Sequence, residues 1–263
     1  MQLLQNKDVI IKREDLTHIL KNEVGIRFGD IICVHSSLLN LGMPLLPKNI
    51  FLKTILESFY DAIGKEGTII MPTFTYSFCK NQAYDKLQSK SAMGALSEFF
   101  RKQENVARTN DPIFSFAIKG KRKQCFLKNT TSCFGENSVY DILAKKNGKI
   151  ILFGTEESGY TFSHFIEEKF QVPYRYYKTF SGEIVNENNQ TLRCDIKYYV
   201  RNTSIKESKL LLYNQITLLK STNNFKKIEF ANSHIISIDA KQWLDDFSSL
   251  IQKDCYILVK EMI

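Results

Sequence analysis

Proline is scarce in this chain, five in 263 residues, and the twelve glycines are scattered. No Pro- or Gly-rich linker and no internal repeat is present, so one domain over residues 1–263 is the simplest organisation. Long hydrophobic runs are absent too. Ile31–Val34 and Lys149–Phe153 are among the longest, far short of the roughly 20 residues of a membrane span. The N-terminus, Met1-Gln-Leu-Leu-Gln-Asn-Lys7, has no basic stretch ahead of an apolar core, so no signal peptide is expected. Six cysteines are present, none in a C-x-x-C pair and none at zinc-like spacing from a histidine. They read as free thiols in a reducing compartment, which predicts a cytoplasmic protein without disulfides or metal.

Several signatures of chemistry are missing as well. There is no G-x-G-x-x-G, no Walker loop and no G-x-S-x-G elbow. His164-Phe-Ile-Glu167 lacks the second histidine of a zinc protease, which excludes that metal site. A cysteine nucleophile paired with histidine would fall to Cys33 or Cys79; Cys33 lies in an apolar run, Cys79 has no activating neighbour, and both read as ordinary thiols.

The charge is lopsided, with 36 Lys and Arg against 28 Asp and Glu, a net +8 and a pI near 9.0. A basic chain favours anionic partners, such as nucleic acid, a phosphorylated cofactor or a nucleotide-linked substrate. The densest run, Lys119-Gly-Lys-Arg-Lys123, has no interleaved aromatics and reads as a solvated loop, so nucleic acid is not the expected partner.

Apolar periodicity alternates between buried strands and amphipathic helices through about residue 170. Helices are expected over 13–24, 47–64, 95–101, 139–146, 205–220 and 240–251, with strands at 29–35, 67–72, 116–119, 149–153 and within 226–238. Two aromatic-rich runs between Pro173 and Val200 flank the turn Asn186–Asn189, the pattern of a hairpin. The order argues an α/β fold with a parallel or mixed sheet covered on both faces.

Polar side chains gather where these strands end. His35-Ser36-Ser37 closes one, Thr73-Phe-Thr75 another, and Thr161, His164 and Glu167 follow a third. In open α/β sheets that edge binds ligands, and small hydroxyl side chains there suit amides and phosphates. Ser91-Ala-Met93-Gly94 precedes a helix and would leave backbone N–H groups free for a phosphate, but the segment alone favours a plain N-cap. His164 and Glu167 share a helical face, so the carboxylate can orient the imidazole as a general base.

Taken together, Val34-His-Ser-Ser37, Gly67-Thr-Ile-Ile-Met-Pro-Thr-Phe-Thr75, Ser91–Gly94 with Glu98 and Arg101, Arg108-x-x-Asp-Pro-x-x-Ser115, Phe134-Gly-x-x-Ser138 and Thr161-x-x-His164-x-x-Glu167 resemble the aminoglycoside 3-N-acetyltransferase (antibiotic N-acetyltransferase) family. The pieces occur in that family's order over about residues 28–180, with a looser match beyond. The resemblance implies a three-layer α/β sandwich around a mixed central sheet, with a hairpin-containing C-terminal part, about 173–263, shaping the acceptor side. It implies a metal-free acyltransferase that uses acetyl-CoA as co-substrate and acetylates an amine directly. His164 matches the catalytic histidine, with Thr161 and Glu167 in its motif. His35, Ser36, Ser37, Thr73, Thr75, Ser91, Met93, Gly94, Arg108 and Ser115 match positions that line or support the cofactor cleft.

Two departures stand out. Asp111 occupies a position where many members carry histidine before the proline. Aminoglycosides are polycations, yet this chain is basic, and its hairpin carries Lys178, Arg193, Lys197 and Arg201 beside Glu183, Glu187 and Asp195. The charge points instead to an amino sugar acceptor, nucleotide-linked and destined for a surface glycan. The same base would serve acetyl transfer to a hydroxyl. A CoA-binding or nucleic-acid-binding module without catalysis is a further alternative, against which the intact Thr161–His164–Glu167 set argues. A homodimer is left open.

Overall fold

The computed structural model describes residues 1–261. In chain order the elements are β1 (Gln2–Asn6), β2 (Val9–Lys12), α1 (Arg13–His18), β3 (Ile31–Ser36), β4 (Met43–Pro44), α2 (Lys48–Ile63), β5 (Thr68–Pro72), β6 (Tyr84–Asp85), α3 (Ala95–Phe100), β7 (Ala107–Arg108), β8 (Phe116–Gly120), α4 (Val139–Lys145), β9 (Lys149–Phe153), α5 (Phe162–Lys169), β10 (Arg175–Val185), β11 (Thr191–Arg201), α6 (Leu212–Ser221), β12 (Lys226–Phe230), β13 (Ser233–Asp239) and α7 (Ala240–Lys253).

Seven strands form the central sheet in the order β12-β13-β9-β3-β5-β8-β7. Strands β9, β3 and β5 run parallel, while β13, β12, β8 and β7 pair antiparallel outside them. The sheet is therefore mixed, one of the two forms the alternating pattern allowed and the one the family resemblance implied. Strands buried on both faces read as unbroken apolar runs rather than alternating ones. Ile31–Val34, Ile69–Met71 and Ile150–Phe153 are such runs and are buried throughout.

Alternate residues of these strands enter two separate apolar clusters. Ile32, Val34, Ile69, Met71, Ile151 and Phe153 join Phe51, Leu52, Ile55 and Phe59 of α2 on one face. Cys33, Ile70, Ile118, Ile150, Leu152 and Ile236 join residues of α4, α5 and α7 on the other. Helix α7 packs through Trp243, Phe247 and Ile251, spaced four apart, and α4 begins at Ser138, whose Oγ accepts from the Asp141 N–H. Each capping contact contributes about 1 kcal/mol.

Some elements differ from the sequence expectation. The first helix turns into a π-turn at Ile19–Glu23. Helix α6 starts at Leu212, later than the expected 205. The segment 226–238 holds two strands rather than one. A small sheet, β2-β1-β4, was not anticipated. Strands β10 and β11 pair antiparallel from Arg175↔Arg201 to Val185↔Thr191, and β6 joins β10 in parallel.

Because β3, β5 and β9 are parallel, their C-terminal ends share one edge of the sheet. Antiparallel β8 starts at that edge and β7 ends there. Residues 35–37, 73–75, 108, 115 and 154 are thereby brought to one rim. Gly154 makes the turn off β9 with φ +77°, and a Cβ there would lie 2.2 Å from the Ser37 carbonyl oxygen. We expect Gly154→Ala to lower unfolding free energy by about 2–4 kcal/mol, from left-handed backbone cost plus overpacking. Urea denaturation checks this, and a loss within error would contradict the close approach.

Candidate active site

His164 lies in the first turn of α5. Its side chain is 22% exposed, whereas that of Glu167, one turn on, is fully buried. The imidazole Nδ1 stands 2.8 Å from Glu167 Oε2. An ionised carboxylate can only accept, so the neutral ring donates Nδ1–H and keeps its lone pair at Nε2. Nε2 has no hydrogen-bond partner among the described residues.

A buried carboxylate needs compensation, since desolvation penalises its charge. Arg175, the first residue of β10, supplies it, with Nε 2.9 Å from Glu167 Oε1. That guanidinium is itself buried and donates from Nη1 to the Tyr199 carbonyl at 3.1 Å. Tyr198 stands on the next strand, its ring centroid 6.4 Å from that of His164, and burial raises its phenol to about 12. Phe134 packs on the imidazole at 5.6 Å. The imidazole thus sits between an ion pair and an aromatic wall. Arg175 and Tyr198 were not singled out from the sequence, and Phe134 entered only through the motif Phe134-Gly-x-x-Ser138.

The cleft at His164 has a volume of about 370 Å³ and is lined by Thr161, Tyr160, Ser158, Arg175 and Gln215 among others. Thr161 does not cap α5 with its side chain; it lies against the buried Tyr140 hydroxyl.

The other expected site residues divide into two groups. Ser36 and Ser37 are partly exposed, and their hydroxyls carry no hydrogen bond among the described residues. Ser91, Met93 and Gly94 are also accessible to solvent. The Ser91 hydroxyl accepts from the Met93 N–H at 3.1 Å. The Glu98 carboxylate, held by Arg101 at 2.6 and 2.7 Å, accepts the Ser91 N–H at 2.8 Å. That loop is therefore tied down by a carboxylate, and Ser91 N–H is not a free phosphate donor. Ala92 N–H donates to the Phe74 carbonyl, which seats the loop on the end of β5.

The second group lies beneath the rim. His35 is 3% exposed, with Nε2 3.1 Å from the Tyr140 hydroxyl. Burial lowers its pKa to about 4, so the ring is neutral. Gly159, at φ +102°, lies over it; a Cβ there would sit 3.0 Å from the His35 Cβ. Arg108 is buried and donates to Thr73 Oγ1 (3.0 Å), Ser115 Oγ (3.2 Å), the Ser89 carbonyl (2.6 Å) and the Thr73 carbonyl (2.6 Å). Thr75 donates to the Pro112 carbonyl at 2.8 Å. The polar atoms of Thr73, Thr75, Arg108 and Ser115 are engaged with one another and with backbone. They support the rim from below and do not line it, because strand-end side chains alternate between rim and core.

Asp111 lines a different cavity, of about 380 Å³, together with Cys133, Lys86 and Arg193. None of the expected catalytic residues lines it. Burial raises the Asp111 carboxyl to about 6, while Phe114 and Ile113 N–H groups at 2.7 and 2.8 Å oppose the rise. Here the aspartate shapes a turn. All six cysteines are free thiols, and burial pushes Cys33 and Cys79 upward, against a nucleophilic role. No cluster of metal-ligating side chains is found among the described residues, and no helix there is long and apolar enough to cross a membrane.

A family model described as aminoglycoside 3-N-acetyltransferase matches residues 33–252. The SPbeta prophage-derived aminoglycoside N(3')-acetyltransferase-like protein YokD of Bacillus subtilis (strain 168) is 26% identical over 187 residues, 62% of this chain and 66% of the relative. The match thus spans just under two thirds of that relative's length. The apoenzyme structure of aminoglycoside acetyltransferase AAC(3)-IVa is similar with a TM-score of 0.78 at 20% identity, covering 98% of this chain and 94% of the other. The binary complex of AAC-IIIb with CoASH is similar with a TM-score of 0.78 at 19% identity, covering 92% and 97%. At such identities the likeness establishes the fold.

The depressed pKa of His35 has a pH consequence. A histidine held neutral contributes stability above its unfolded value of 6.5 and loses it as pH falls towards about 4. Acid unfolding should therefore steepen between these values, by roughly 3 kcal/mol in total. Stability measured against pH for His35→Gln should show a flatter slope there; an unchanged slope would contradict the buried neutral ring.

Proposed function

The chain belongs to the aminoglycoside 3-N-acetyltransferase family, and from that premise we propose that it is an acetyl-CoA-dependent N-acetyltransferase acting on an amine of an amino sugar or aminoglycoside-like acceptor. The observation that carries the reading is the imidazole of His164, held through Nδ1 by Glu167 at 2.8 Å with Nε2 unpartnered. We read the chain as one acetyltransferase domain, a three-layer sandwich whose part beyond about residue 173 shapes the acceptor side.

Acetyl-CoA supplies the acetyl thioester. Partly exposed hydroxyls at Ser36 and Ser37, the loop Ser91–Gly94 and the apolar Met93 suit an amide- and hydroxyl-bearing arm, and they are our candidates for cofactor contact. His35, Thr73, Thr75, Arg108 and Ser115 hold these groups in place.

An ammonium has no lone pair with which to attack a carbonyl, so its proton must leave first or during attack. His164 Nε2 accepts that proton. Glu167 fixes the tautomer and stabilises the imidazolium that forms, and Arg175 supplies the counter-charge that the buried carboxylate needs. Rim hydroxyls and backbone N–H groups supply donors for the developing oxyanion. We read the transfer as direct: the amine attacks the thioester carbonyl, the C–S bond breaks and CoA leaves as the thiol, with no acyl-enzyme.

Two substitutions test this. His164→Ala should lower kcat for CoA thiol release by about 10²–10⁴-fold, while the affinity for CoA measured by calorimetry stays the same. Unchanged turnover removes His164 from the mechanism. Glu167→Gln keeps the shape but can donate to Nδ1, which favours the wrong tautomer. It should reduce kcat by at least about tenfold with little change in KM for acetyl-CoA, and an effect confined to KM would count against the orienting role.

A further inference from the structure

The acceptor side of the His164 cleft carries an unbalanced charge. Four ionisable groups besides His164 and Tyr160 line it: Glu157, Arg175, Arg201 and Lys209. Arg175 is neutralised by Glu167 at 2.9 Å. Among the described residues, Arg201 and Lys209 enter no salt bridge and no side-chain hydrogen bond. Both are exposed, so neither is held by the fold.

The register of the β10–β11 pair sharpens this. Arg175 and Arg201 are directly opposite one another, and both side chains reach the same cleft. Like charges directly across two strands destabilise a pair. Glu167 relieves one of the two arginines; Arg201 is left without a counter-charge. Lys209, from the segment before α6, adds a second cation on the same wall.

A polycationic acceptor needs carboxylates around it, and Glu157 is the sole acidic side chain lining this cleft. The surface offers the opposite complement. None of the candidate cofactor residues Ser36, Ser37, Ser91, Met93 and Gly94 lines this cleft, so its cations stand apart from the groups we give to the cofactor.

We propose that the acceptor is an amino sugar bearing an anionic group, a phosphate ester or a carboxylate, read by Arg201 and Lys209 while its amine faces His164. This rests on the acetyltransferase reading and narrows its substrate class. Arg201 offers a planar fork that matches phosphate or carboxylate oxygens in pairs, and Lys209 adds a point charge. The anionic group anchors the sugar on the side of the cleft that carries Arg201 and Lys209 and leaves the amine free for proton transfer.

The test is a thiol-release assay with acetyl-CoA and four acceptors: glucosamine, glucosamine 1-phosphate, glucosamine 6-phosphate and gentamicin. At low salt at least one phosphorylated sugar should exceed glucosamine and gentamicin in kcat/KM by about tenfold or more, with the gap shrinking at high salt. Arg201→Gln combined with Lys209→Gln should erase the gap by raising KM for the phosphorylated sugar, with KM for acetyl-CoA unchanged. Lys209→Glu should move the preference towards gentamicin. Equal rates for glucosamine and both phosphates would overturn the proposal, as would a preference for gentamicin in the unaltered enzyme. A rise confined to KM for acetyl-CoA in the double variant would show that the cations serve the cofactor and would overturn it too. Thiol release that favours gentamicin leaves the acetyltransferase reading intact; no release with any acceptor, joined to no CoA binding in calorimetry, overturns that reading and this proposal with it.

Discussion

A single buried carboxylate organises the site. Glu167 has no exposed surface, yet it touches a histidine on one oxygen and an arginine on the other. A buried carboxylate needs a counter-charge, and Arg175 supplies it on the oxygen that His164 does not use. The ion pair also joins two parts of the chain, since Glu167 belongs to α5 and Arg175 opens β10. Removing either partner would leave an uncompensated buried charge, which costs on the order of 3–5 kcal/mol. Stability and chemistry therefore share one interaction.

The sheet delivers everything else to that point. Three parallel strands end at one edge, and their last residues alternate between rim and core. Ser36 reaches the rim while His35, one residue earlier, is sealed below it. The buried histidine is not idle. Its hydrogen bond to Tyr140, itself beside Thr161, ties the end of β3 to the start of α5. Arg108 performs a similar service on the other flank by gathering Thr73, Ser115 and Ser89 around one guanidinium. The rim and the helix that carries His164 are held in register by buried polar groups.

Much of this was legible in the chain. Unbroken apolar runs marked β3, β5 and β9, and the three-residue spacing of His164 and Glu167 foretold their contact. Charge counts on the hairpin did not say which cations meet the cleft: of Lys178, Arg193, Lys197 and Arg201 only Arg201 lines it. Other features were hidden for physical reasons. Strand β1 buries only Leu3 and Leu4, and β4 has two residues, both exposed, so neither shows a period. Polar residues at a strand end look alike in sequence, and only three-dimensional burial separates Ser36 from His35. Arg175 lies eight residues past Glu167 across a helix end and a turn, a separation no helical or strand rule pairs. Asp111 looked like a substituted site residue, whereas its carboxylate accepts two backbone N–H groups in a turn at a different cavity.

The 2.8 Å contact requires that Glu167 hold His164 with its proton on Nδ1 and a free lone pair on Nε2. Nitrogen-15 NMR of the imidazole, at a pH where the ring is neutral, reads this directly. The account predicts a pyrrole-type Nδ1 and a pyridine-type Nε2 for His164 in the unaltered protein, with the order lost in Glu167→Gln. A ring protonated on Nε2 in the unaltered protein, or an Nδ1–H tautomer indifferent to residue 167, would contradict it.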